Sequence, residues 1–170
     1  MLLQSKKQEE KGMEGYQVCP IGSIVVSEEG TWLKLRREYI PALEALEGFR
    51  HINVLWWFSD FDGDAFRKVL QVPQPYKDAP QVMGVFATRS PIRPNPIALT
   101  TCEVLEIDRE RGMIKLAFID ANHASPVLDI KPYTPSLDRV ETPGVPAWCA
   151  GWPKSAEASG HFDWEAVFRF

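Results

Sequence analysis

The sequence predicts a mainly β protein: a single small β-barrel-like domain with one or two short helices. The chain has 170 residues, and its 14 prolines, set against few helical patterns, indicate a protein rich in strands and loops. Apolar residues occur as runs of strand length or in alternation with polar residues. With 45% hydrophobic and 25% charged residues, the composition is that of a globular domain large enough to bury a core.

Four segments in the first third of the chain predict regular structure. In chain order they are strands at 16–26 and 31–35, a short helix at 41–47 and a strand at 52–58. Pro41 suits the first turn of the helix, Leu43 and Leu46 share one face, and Gly48 suits its end. The last strand is a continuous apolar run, which predicts burial on both faces. An acidic turn follows it.

The remaining predicted strands come after a proline-containing loop at 70–80. In chain order they lie at 82–87, 97–107, 113–119, 127–130 and 164–170, with a polar hairpin turn at 108–112. In the last of them Trp164, Ala166, Phe168 and Phe170 share one side by the two-residue period, which predicts a closing strand.

The chain divides into a leader and one domain. Residues 1–14 are polar and rich in Lys and Glu, and they predict a flexible leader, whereas 15–170 predict one domain. Within it, 141–163 form a Pro/Gly/Trp-rich tail loop with Trp148 and Trp152 as anchors. The three cysteines stand singly, without the spacing of a disulfide framework, which favours a reducing, cytoplasmic location. No segment has the roughly 18 apolar residues that a membrane helix needs.

The formal net charge of −4 gives no general basic field, so contact with nucleic acid requires a local patch. Candidates for such a stripe are Lys34, Arg36, Arg37, Arg67 and Lys68, the alternative being ordinary solvated surface charges. The chain has no Walker loop, no Gly-x-Gly-x-x-Gly after a strand and no Gly-x-Ser-x-Gly elbow, which disfavours nucleotide-fold chemistry and serine hydrolysis. Its three histidines lack metal-ligand spacing, and we expect no metal site.

Residues 84–99 combine a short strand with a stiff, cationic loop. Three prolines within six residues fix the backbone around Arg93 and Asn95, and each pushes the preceding residue toward extended geometry. The loop therefore carries the guanidinium groups of Arg89 and Arg93 and one amide on a rigid support. This arrangement suits the binding of a polar ligand. The alternative is a rigid crossover whose arginines face water.

A second polar cluster follows the strand predicted at 113–119. In it Asp129, Lys131 and Tyr133 share one side by the two-residue period, together with Val127. Because the apolar Val127 lies among them, that side is not wholly exposed to solvent. A carboxylate beside an ammonium is usually a solvated ion pair, but the flanking prolines and the phenol make this segment a candidate site.

Three segments together carry a resemblance to a known family. Residues 83–97 (MGVFATRSPIRPNPI) look like the signature of the TrmO family, also called the TsaA-like or YaeB-like domain. Residues 125–135 (SPVLDIKPYTP) resemble its second motif, and 46–51 (LEGFRH), followed by the apolar strand, are similar to a third landmark. Their order and spacing match across about residues 16–138. One departure is His123-Ala124, where the family's second motif has Asp-Gly.

The resemblance implies a TsaA-like β-barrel methyltransferase that uses S-adenosyl-L-methionine and works as a homodimer. The implied reaction is methylation of N6 of N6-threonylcarbamoyladenosine, next to the anticodon of tRNA. The implied cofactor contacts are Ser59, Asp60, Arg89, Leu99, Ala117, Phe118, Ile119 and Asp120. Arg93, Asn95 and Lys131 complete the pocket as substrate-binding residues. The candidate general base is Asp129 or Tyr133, because a carbamoyl-substituted N6–H is acidic enough for one modest base.

Two other functions remain open at this point. A non-catalytic module would bind S-adenosyl-L-methionine as a sensor, or deliver it to a partner enzyme, without turning it over. A methyltransferase of a small molecule is compatible with the acidic balance of the chain. A Lys/Arg stripe leading to the pocket would favour tRNA.

Overall fold

The computed structural model describes residues 15–169, and its centre is a closed antiparallel barrel of six strands. The strands in chain order are β1 (Gly22–Ser27), β2 (Gly30–Leu35), β3 (His51–Trp57), β4 (Gln71–Pro73), β5 (Val82–Gly84), β6 (Ile97–Asp108), β7 (Met113–Leu116) and β8 (Pro126–Pro132). The order around the barrel is β1-β2-β7-β6-β3-β8, and β8 pairs again with β1, whereas β4 and β5 form a separate small sheet. The predicted mainly β, barrel-like fold is confirmed.

Helical structure in residues 15–169 is limited to short turns. The α-helices are α1 (Asp64–Arg67), α2 (Pro135–Asp138) and α3 (Ala156–Ser159), and the 3₁₀ helices lie at Arg37–Leu43, Ser59–Phe61, Val85–Ala87 and Ala147–Cys149. These turns exceed the one or two helices expected. The helix predicted at 41–47 is the first 3₁₀ helix instead, with Pro41 inside it. Ala45 adopts a φ of 62°, a left-handed geometry that ends any helical path at this point.

The core fills the barrel with alternate side chains of each strand. The apolar side chains with no exposed surface are Ile24, Leu33, Ile52, Val54, Ile114 and Val127. On β6, Ala98 and Cys102 point inward while Leu99 and Thr101 are exposed, as the two-residue period requires. This alternation gives β6 an outward face that takes no part in the core.

The barrel closes at a short contact between β1 and β8, and Gly22 lies in it. Gly22 pairs with Val127, and the Ile21 N–H donates to the Val127 carbonyl at 2.8 Å. A Cβ at position 22 would overlap the carbonyl oxygen of Lys34 on β2, because the backbones approach more closely here than a side chain allows. Glycine is therefore needed at position 22 for β1 to approach β2 this closely.

A β-bulge between β3 and β8 changes the predicted sides of the second polar cluster. Leu55 pairs with Asp129 but the next residue, Trp56, pairs with Val127, so β8 carries one extra residue. Val127 consequently points into the core, whereas Asp129 and Lys131 lie on the outward face. The prediction that Val127 shares their side is wrong, because the bulge interrupts the two-residue period.

The chain before the cationic loop is less regular than predicted. The strand predicted at 82–87 ends at Gly84, and the 3₁₀ helix Val85–Ala87 follows it. Part of the loop predicted at 70–80 is β4, which pairs with β5.

Residues 164–169 form turns instead of the predicted closing strand. The N–H groups of Val167 and Phe168 both donate to the Trp164 carbonyl at 3.0 Å, and one isolated bridge joins Phe168 to Tyr76. Six rings pack together here, and we call them the aromatic cluster: Tyr76, Trp148, Trp152, Phe162, Trp164 and Phe168. The apolar alternation therefore serves ring packing and not backbone pairing.

Some sequence predictions concern residues at the two ends of the chain. The predicted leader, 1–14, and the final residue, Phe170, lie outside the described residues. Between them, none of the helices in residues 15–169 has both the length and the apolar character to cross a membrane.

Candidate functional site

A cleft of about 1220 Å³ opens between the barrel and the C-terminal segment. We call its sides the barrel wall and the tail wall. The barrel wall includes Phe86, Arg89, Arg93, Leu99, Phe118 and Asp120, and the tail wall includes Trp152, Pro153, Ser155, Ser159, Phe162 and Trp164. Five predicted site residues therefore meet in the barrel wall: Arg89, Arg93, Leu99, Phe118 and Asp120. Phe86 was not among the predicted site residues.

Backbone carbonyls of the cationic loop and of β6 hold the two arginines of the barrel wall. Arg89 Nη1 donates to the Leu99 carbonyl on β6 at 3.2 Å, and Arg93 Nη1 donates to the carbonyls of Thr88 and Ser90 at 3.4 Å. These contacts engage one nitrogen of each guanidinium, which has five N–H donors in all. Each arginine therefore keeps donors for a ligand carboxylate or phosphate.

The segment after β7 adds a ring and a carboxylate to the same wall. Ile119 is buried in the core, so its neighbours Phe118 and Asp120 point to the cleft, while Ala117 stays outside both walls. Phe118 is 69% exposed and Phe86 is 79% exposed. Exposed rings beside charged groups are typical of ligand-binding surfaces. Of the predicted segment 117–120, Phe118 and Asp120 thus reach the cleft.

Ser59 and Asp60 lie beside the cleft, in the 3₁₀ turn that follows β3. Neither belongs to the residues that line the cleft, although the preceding Phe58 does. Asp60 Oδ2 accepts a hydrogen bond from the Asn122 amide at 2.8 Å, which ties this turn to the loop that follows β7. Their contact with a cofactor stays a prediction.

Asn95 lies in the cationic loop but outside both walls. Its side chain is exposed, and its carbonyl accepts the Ile97 N–H at 2.7 Å at the start of β6. Pro96, between them, is fully buried and fixes the end of the loop. The contact of Asn95 with a substrate also stays a prediction.

The second polar cluster lies on the outward face of the barrel, one strand beyond the cleft. Leu55 on β3 pairs with Leu99 on one side and with Asp129 on the other, so Asp129 lies two strand spacings, about 10 Å, from Leu99. Asp129 and Lys131 form an ion pair at 2.8 Å, whose hydrogen bond and charge raise the pKa of Lys131. The fold brings the two motifs onto nearby strands, but Asp129, Lys131 and Tyr133 line neither wall.

A buried amide connects the cleft to α2. The Asn53 side chain amide donates to Asp138 Oδ1 at 2.8 Å, and its oxygen accepts the hydroxyl of Thr101, a residue of the cleft, at 2.7 Å. The second oxygen of Asp138 accepts the Thr134 N–H at 2.7 Å, which joins the two ends of the short helix α2. This network ties the cleft to the segment that ends the second motif.

Charges on the barrel affect the pKa values of titratable groups in the aromatic cluster and the tail. Burial raises the pKa of Tyr76 in the aromatic cluster, and the Arg89 guanidinium opposes that rise. The pKa of Glu157 on α3 is lowered, first by its own backbone N–H, then by the Ser155 hydroxyl and more weakly by His51 on β3. The C-terminal segment lies opposite the outward face of β6, because Leu99 and Thr101 line the same cleft as Trp152.

Three residues of the candidate basic stripe lie away from the cleft, whereas Arg67 donates to the Pro94 carbonyl, beside Arg93 of the barrel wall, at 3.3 Å. Lys34, Arg36 and Arg37 line a second cavity of about 850 Å³ beside the turn between β6 and β7. Arg67 is engaged by the Asp62 carboxylate at 2.6 Å. Hydrogen bonds from Trp57 and from Arg67 lower the pKa of that carboxyl. Within residues 15–169, no group of three or more His, Cys, Asp or Glu side chains is arranged to hold a metal ion.

A family assignment follows from comparison with known proteins. Residues 11–139 match the family described as the tRNA-methyltransferase O N-terminal domain. The chain belongs to this family. The match includes the whole barrel and the cationic loop, and it ends at Arg139, one residue after the end of α2. The tail wall therefore lies outside the matched family region.

Individual relatives of the family give the same result. An S-adenosyl-L-methionine-binding protein of Archaeoglobus fulgidus is 45% identical over 103 residues, 61% of this chain and 68% of that protein. The tRNA (adenine(37)-N6)-methyltransferase of Escherichia coli is 34% identical over 120 residues, 69% of this chain and 48% of that enzyme. A crystal structure of TrmO superimposes with a TM-score of 0.61 at 29% identity, covering 78% of this chain and 64% of that chain. The chain thus spans about half of the E. coli enzyme.

The tail wall of the cleft was not predicted from the sequence. The Pro/Gly/Trp-rich composition of 141–163 predicted a loop, and Trp148 and Trp152 were expected to anchor it. The additional signal was the density of rings between Trp148 and Phe168, which need a common packing partner. Tyr76, far away in the chain, is that partner, stacked on Trp148 at 5.4 Å.

Proposed function

We propose that the protein binds S-adenosyl-L-methionine in the cleft and transfers its methyl group to N6 of an adenine in tRNA. The observation that carries the proposal is the barrel wall, where two cations, one carboxylate and exposed aromatic rings meet on the cationic loop and on the segment that follows β7, both within the matched family region. The names of the relatives support both halves: one is an S-adenosyl-L-methionine-binding protein and another a tRNA methyltransferase.

The donor set of the cleft fits this cofactor. Its carboxylate requires a guanidinium, which Arg89 offers with donors to spare. Its amino group and ribose hydroxyls suit the Asp120 carboxylate, and its adenine and sulfonium suit the exposed faces of Phe86 and Phe118. The cofactor supplies an electrophilic methyl carbon when it is bound. The remaining contribution of the chain is to orient the substrate amine and to accept its proton.

Arg93, Asn95 and Lys131 are the proposed substrate contacts. Arg93 is already in the barrel wall, and Asn95 lies at the exposed end of the same loop. Lys131 lies on the outward face of β8, where its ion pair with Asp129 keeps it protonated. A cation at this position suits a phosphate group of the RNA.

Asp129 is the proposed base for the N6 proton, with Tyr133 as the second candidate. Asp129 lies on the outward face and accepts hydrogen bonds from Lys131 and from the Ile130 N–H at 2.9 Å. We expect Asp129→Asn to lower kcat much more than it weakens cofactor binding. Equal losses in both would remove Asp129 from this role. Asp120 is then the carboxylate of the cleft that remains to accept the proton.

The central experiment is a methyl-transfer assay. The full chain is incubated with radiolabelled S-adenosyl-L-methionine and with tRNA that carries N6-threonylcarbamoyladenosine without the methyl group. We expect label in the modified adenosine and none in tRNA that lacks the threonylcarbamoyl group. Label in both tRNAs at another position would contradict the proposed substrate, and absence of transfer to any tRNA would contradict the activity.

Cofactor binding is measured separately by calorimetry. We expect Arg89→Ala to weaken it by about 1.5–3 kcal/mol, the usual loss of a charged hydrogen bond. Arg111→Ala is the matched control, because Arg111 lines the second cavity and not the cleft. Unchanged affinity in Arg89→Ala would remove this residue from the cofactor site.

A non-catalytic binding module is the second candidate. The relative from Archaeoglobus fulgidus, with 45% identity, is named for binding alone. Tight binding in the calorimeter with no methyl transfer to tRNA would favour this function. Transfer to a small adenosine derivative but not to tRNA would instead favour a small-molecule methyltransferase.

We also propose that the protein is a cytoplasmic homodimer, and that residues 15–170 act as one domain. Exposed apolar side chains that do not line the cleft, including Leu70 beside β4 and Val82 on β5, support an interface between two copies of the chain. Light scattering at assay concentration tests the dimer, and a mass of one chain would contradict it. Limited proteolysis tests the domain, since cleavage within 141–163 that releases a stable barrel would contradict a single unit.

A further inference from the structure

We propose that the tail wall is the subsite for the planar base of the RNA substrate, with Phe162 as its stacking surface, while the barrel wall holds the cofactor. This inference rests on the proposed function and assigns a role to residues outside the matched family region 11–139. It makes the C-terminal segment a substrate-positioning element of this chain.

The cleft is large enough for two ligands. Pockets for one drug-sized molecule have volumes of about 300–1,000 Å³, and this cleft has about 1220 Å³. A methyl-transfer site must hold donor and acceptor side by side, because the reaction is an in-line displacement. The second wall therefore has room for the acceptor.

The two walls differ in charge. Arg89, Arg93 and Asp120 lie on the barrel wall, whereas the described side chains of the tail wall are aromatic, small or hydroxylic. A zwitterionic cofactor is favoured by the charged wall. The face of a nucleobase is uncharged and stacks on aromatic side chains, with a contribution of about 1–3 kcal/mol per base. The tail wall offers that surface.

The aromatic cluster makes the tail wall rigid. Trp152 contacts the rings of Tyr76, Trp148 and Trp164, with centroids 4.9–5.3 Å apart. The Trp164 indole N–H donates to the Ser159 carbonyl at 3.1 Å. A stacking surface held in this way loses little conformational entropy on binding.

The end of the tail is also tied to the chain around Tyr76. The Lys77 N–H donates to the Val167 carbonyl at 2.9 Å, and the Arg169 N–H donates to the Pro75 carbonyl at 3.0 Å. These backbone contacts fix the cluster independently of any single ring at its edge. A substitution at the edge should therefore leave the wall in place.

Phe162 is the ring at the edge of the cluster. It lines the cleft and meets the cluster through Trp164, edge to face with centroids 4.9 Å apart. Phe168 also contacts Trp164 but lies away from the cleft. The two phenylalanines therefore form a matched pair: both belong to the cluster, and Phe162 alone of the two faces the ligand space.

The test compares Phe162→Ala and Phe162→Tyr with Phe168→Leu in the full chain. Methylation of tRNA carrying N6-threonylcarbamoyladenosine gives KM and kcat, calorimetry gives the Kd of S-adenosylhomocysteine, and tryptophan fluorescence follows tRNA binding directly. We expect Phe162→Ala to raise the KM and the Kd for tRNA about tenfold. The Kd of S-adenosylhomocysteine should change less than twofold. Phe162→Tyr should restore tRNA binding, and Phe168→Leu should leave it unchanged.

The outcomes separate this inference from the proposed function. An unchanged KM for tRNA in Phe162→Ala, or a tenfold weaker binding of S-adenosylhomocysteine, would overturn the subsite. If the wild-type protein transfers no methyl group, the proposed function fails, and the fluorescence titration still decides: weaker tRNA binding in Phe162→Ala supports the subsite, and equal or absent binding overturns it. Should Phe162→Ala not fold, as judged by its thermal melt, Phe162→Leu replaces it in the same series.

Discussion

Replacing Asn53 with aspartate places two carboxylates in contact where β3 meets α2. The Asn53 amide nitrogen lies 2.8 Å from Asp138 Oδ1, and the side chain is only 9% exposed. In the variant an oxygen takes the place of the donating nitrogen. The Thr101 hydroxyl continues to donate to the other oxygen at this position, since a carboxylate accepts it as an amide does. The perturbation therefore falls on one contact.

The size of the effect follows from the contact distance. Two negative charges 2.8 Å apart repel by about 6 kcal/mol at an effective dielectric constant of 20. Taking up one proton between the two carboxyls costs less, about 4 kcal/mol at pH 7 for a group with a pKa near 4. The folded variant should therefore hold that proton and lose about 4 kcal/mol of stability relative to the wild type. At pH 5 the same proton costs about 1.4 kcal/mol.

The assay is urea unfolding of wild type and variant at several pH values between 5 and 7. The shared proton raises the pKa of one carboxyl in the folded state above its unfolded value, so the variant gains stability relative to wild type as the pH falls. Asn53→Ala is the control, because it removes both hydrogen bonds without adding a charge, and its loss should not depend on pH in this range. A loss for Asn53→Asp that is equal at pH 5 and pH 7 would refute the reasoning.

Two further predictions concern single residues elsewhere in the fold. Ala124 has a φ of 67°, so Ala124→Gly should raise the free energy of unfolding by about 0.5–1 kcal/mol, whereas Ala150→Gly, at a φ of −61°, should lower it; a loss in both variants would contradict a strained backbone at the first site. Cys19 is exposed, Cys102 and Cys149 are buried, and burial raises the pKa of Cys102 to about 12. Ellman's reagent should therefore titrate one thiol in the native protein and three in denaturant, and rapid reaction of a second native thiol would show that the barrel or the aromatic cluster is open.

Local pattern predicted the barrel where a strand pairs with its neighbour in sequence. β6 and β7 were expected at 97–107 and 113–119, and they are joined by the turn predicted at 108–112. In the structure β6 follows the two-residue period, since Ala98 is buried and Leu99 is exposed. These features depend on residues within a few positions of one another, so the sequence contains them in readable form.

The bulge and the tail depend on partners that are distant in the chain. The register of β8 shifts where it pairs with Leu55 and Trp56 of β3. The sequence of residues 126–132 contains no pattern that predicts this shift. The alternation from Trp164 onward is equally compatible with a strand and with a cluster of rings. Tyr76 decides between them by packing against Phe168 and Trp148. Period alone does not reveal such long-range contacts.

The stability of the barrel explains the residue types on the inward face of β6 but not those on its outward face. Ala98, Thr100 and Cys102 point inward, where Cys102 packs in the core and Thr100 accepts the indole N–H of Trp56 at 3.0 Å. The outward residue Leu99 is 49% exposed, so leaving it apolar contributes little to the stability of the barrel.

The rings of the barrel wall also contribute little to the stability of the barrel, because Phe86 and Phe118 are more exposed than Leu99. Both rings line the cleft together with the arginines of the cationic loop. Apolar surface that the core does not need, placed against fixed guanidinium groups, is best explained by a ligand that carries both a flat apolar part and an anionic part. A nucleoside-containing molecule with a carboxylate or a phosphate has this combination. The cleft thus presents apolar and charged surface that the fold itself does not need, and this surface suits such a ligand whether the acceptor is tRNA or a smaller adenosine derivative.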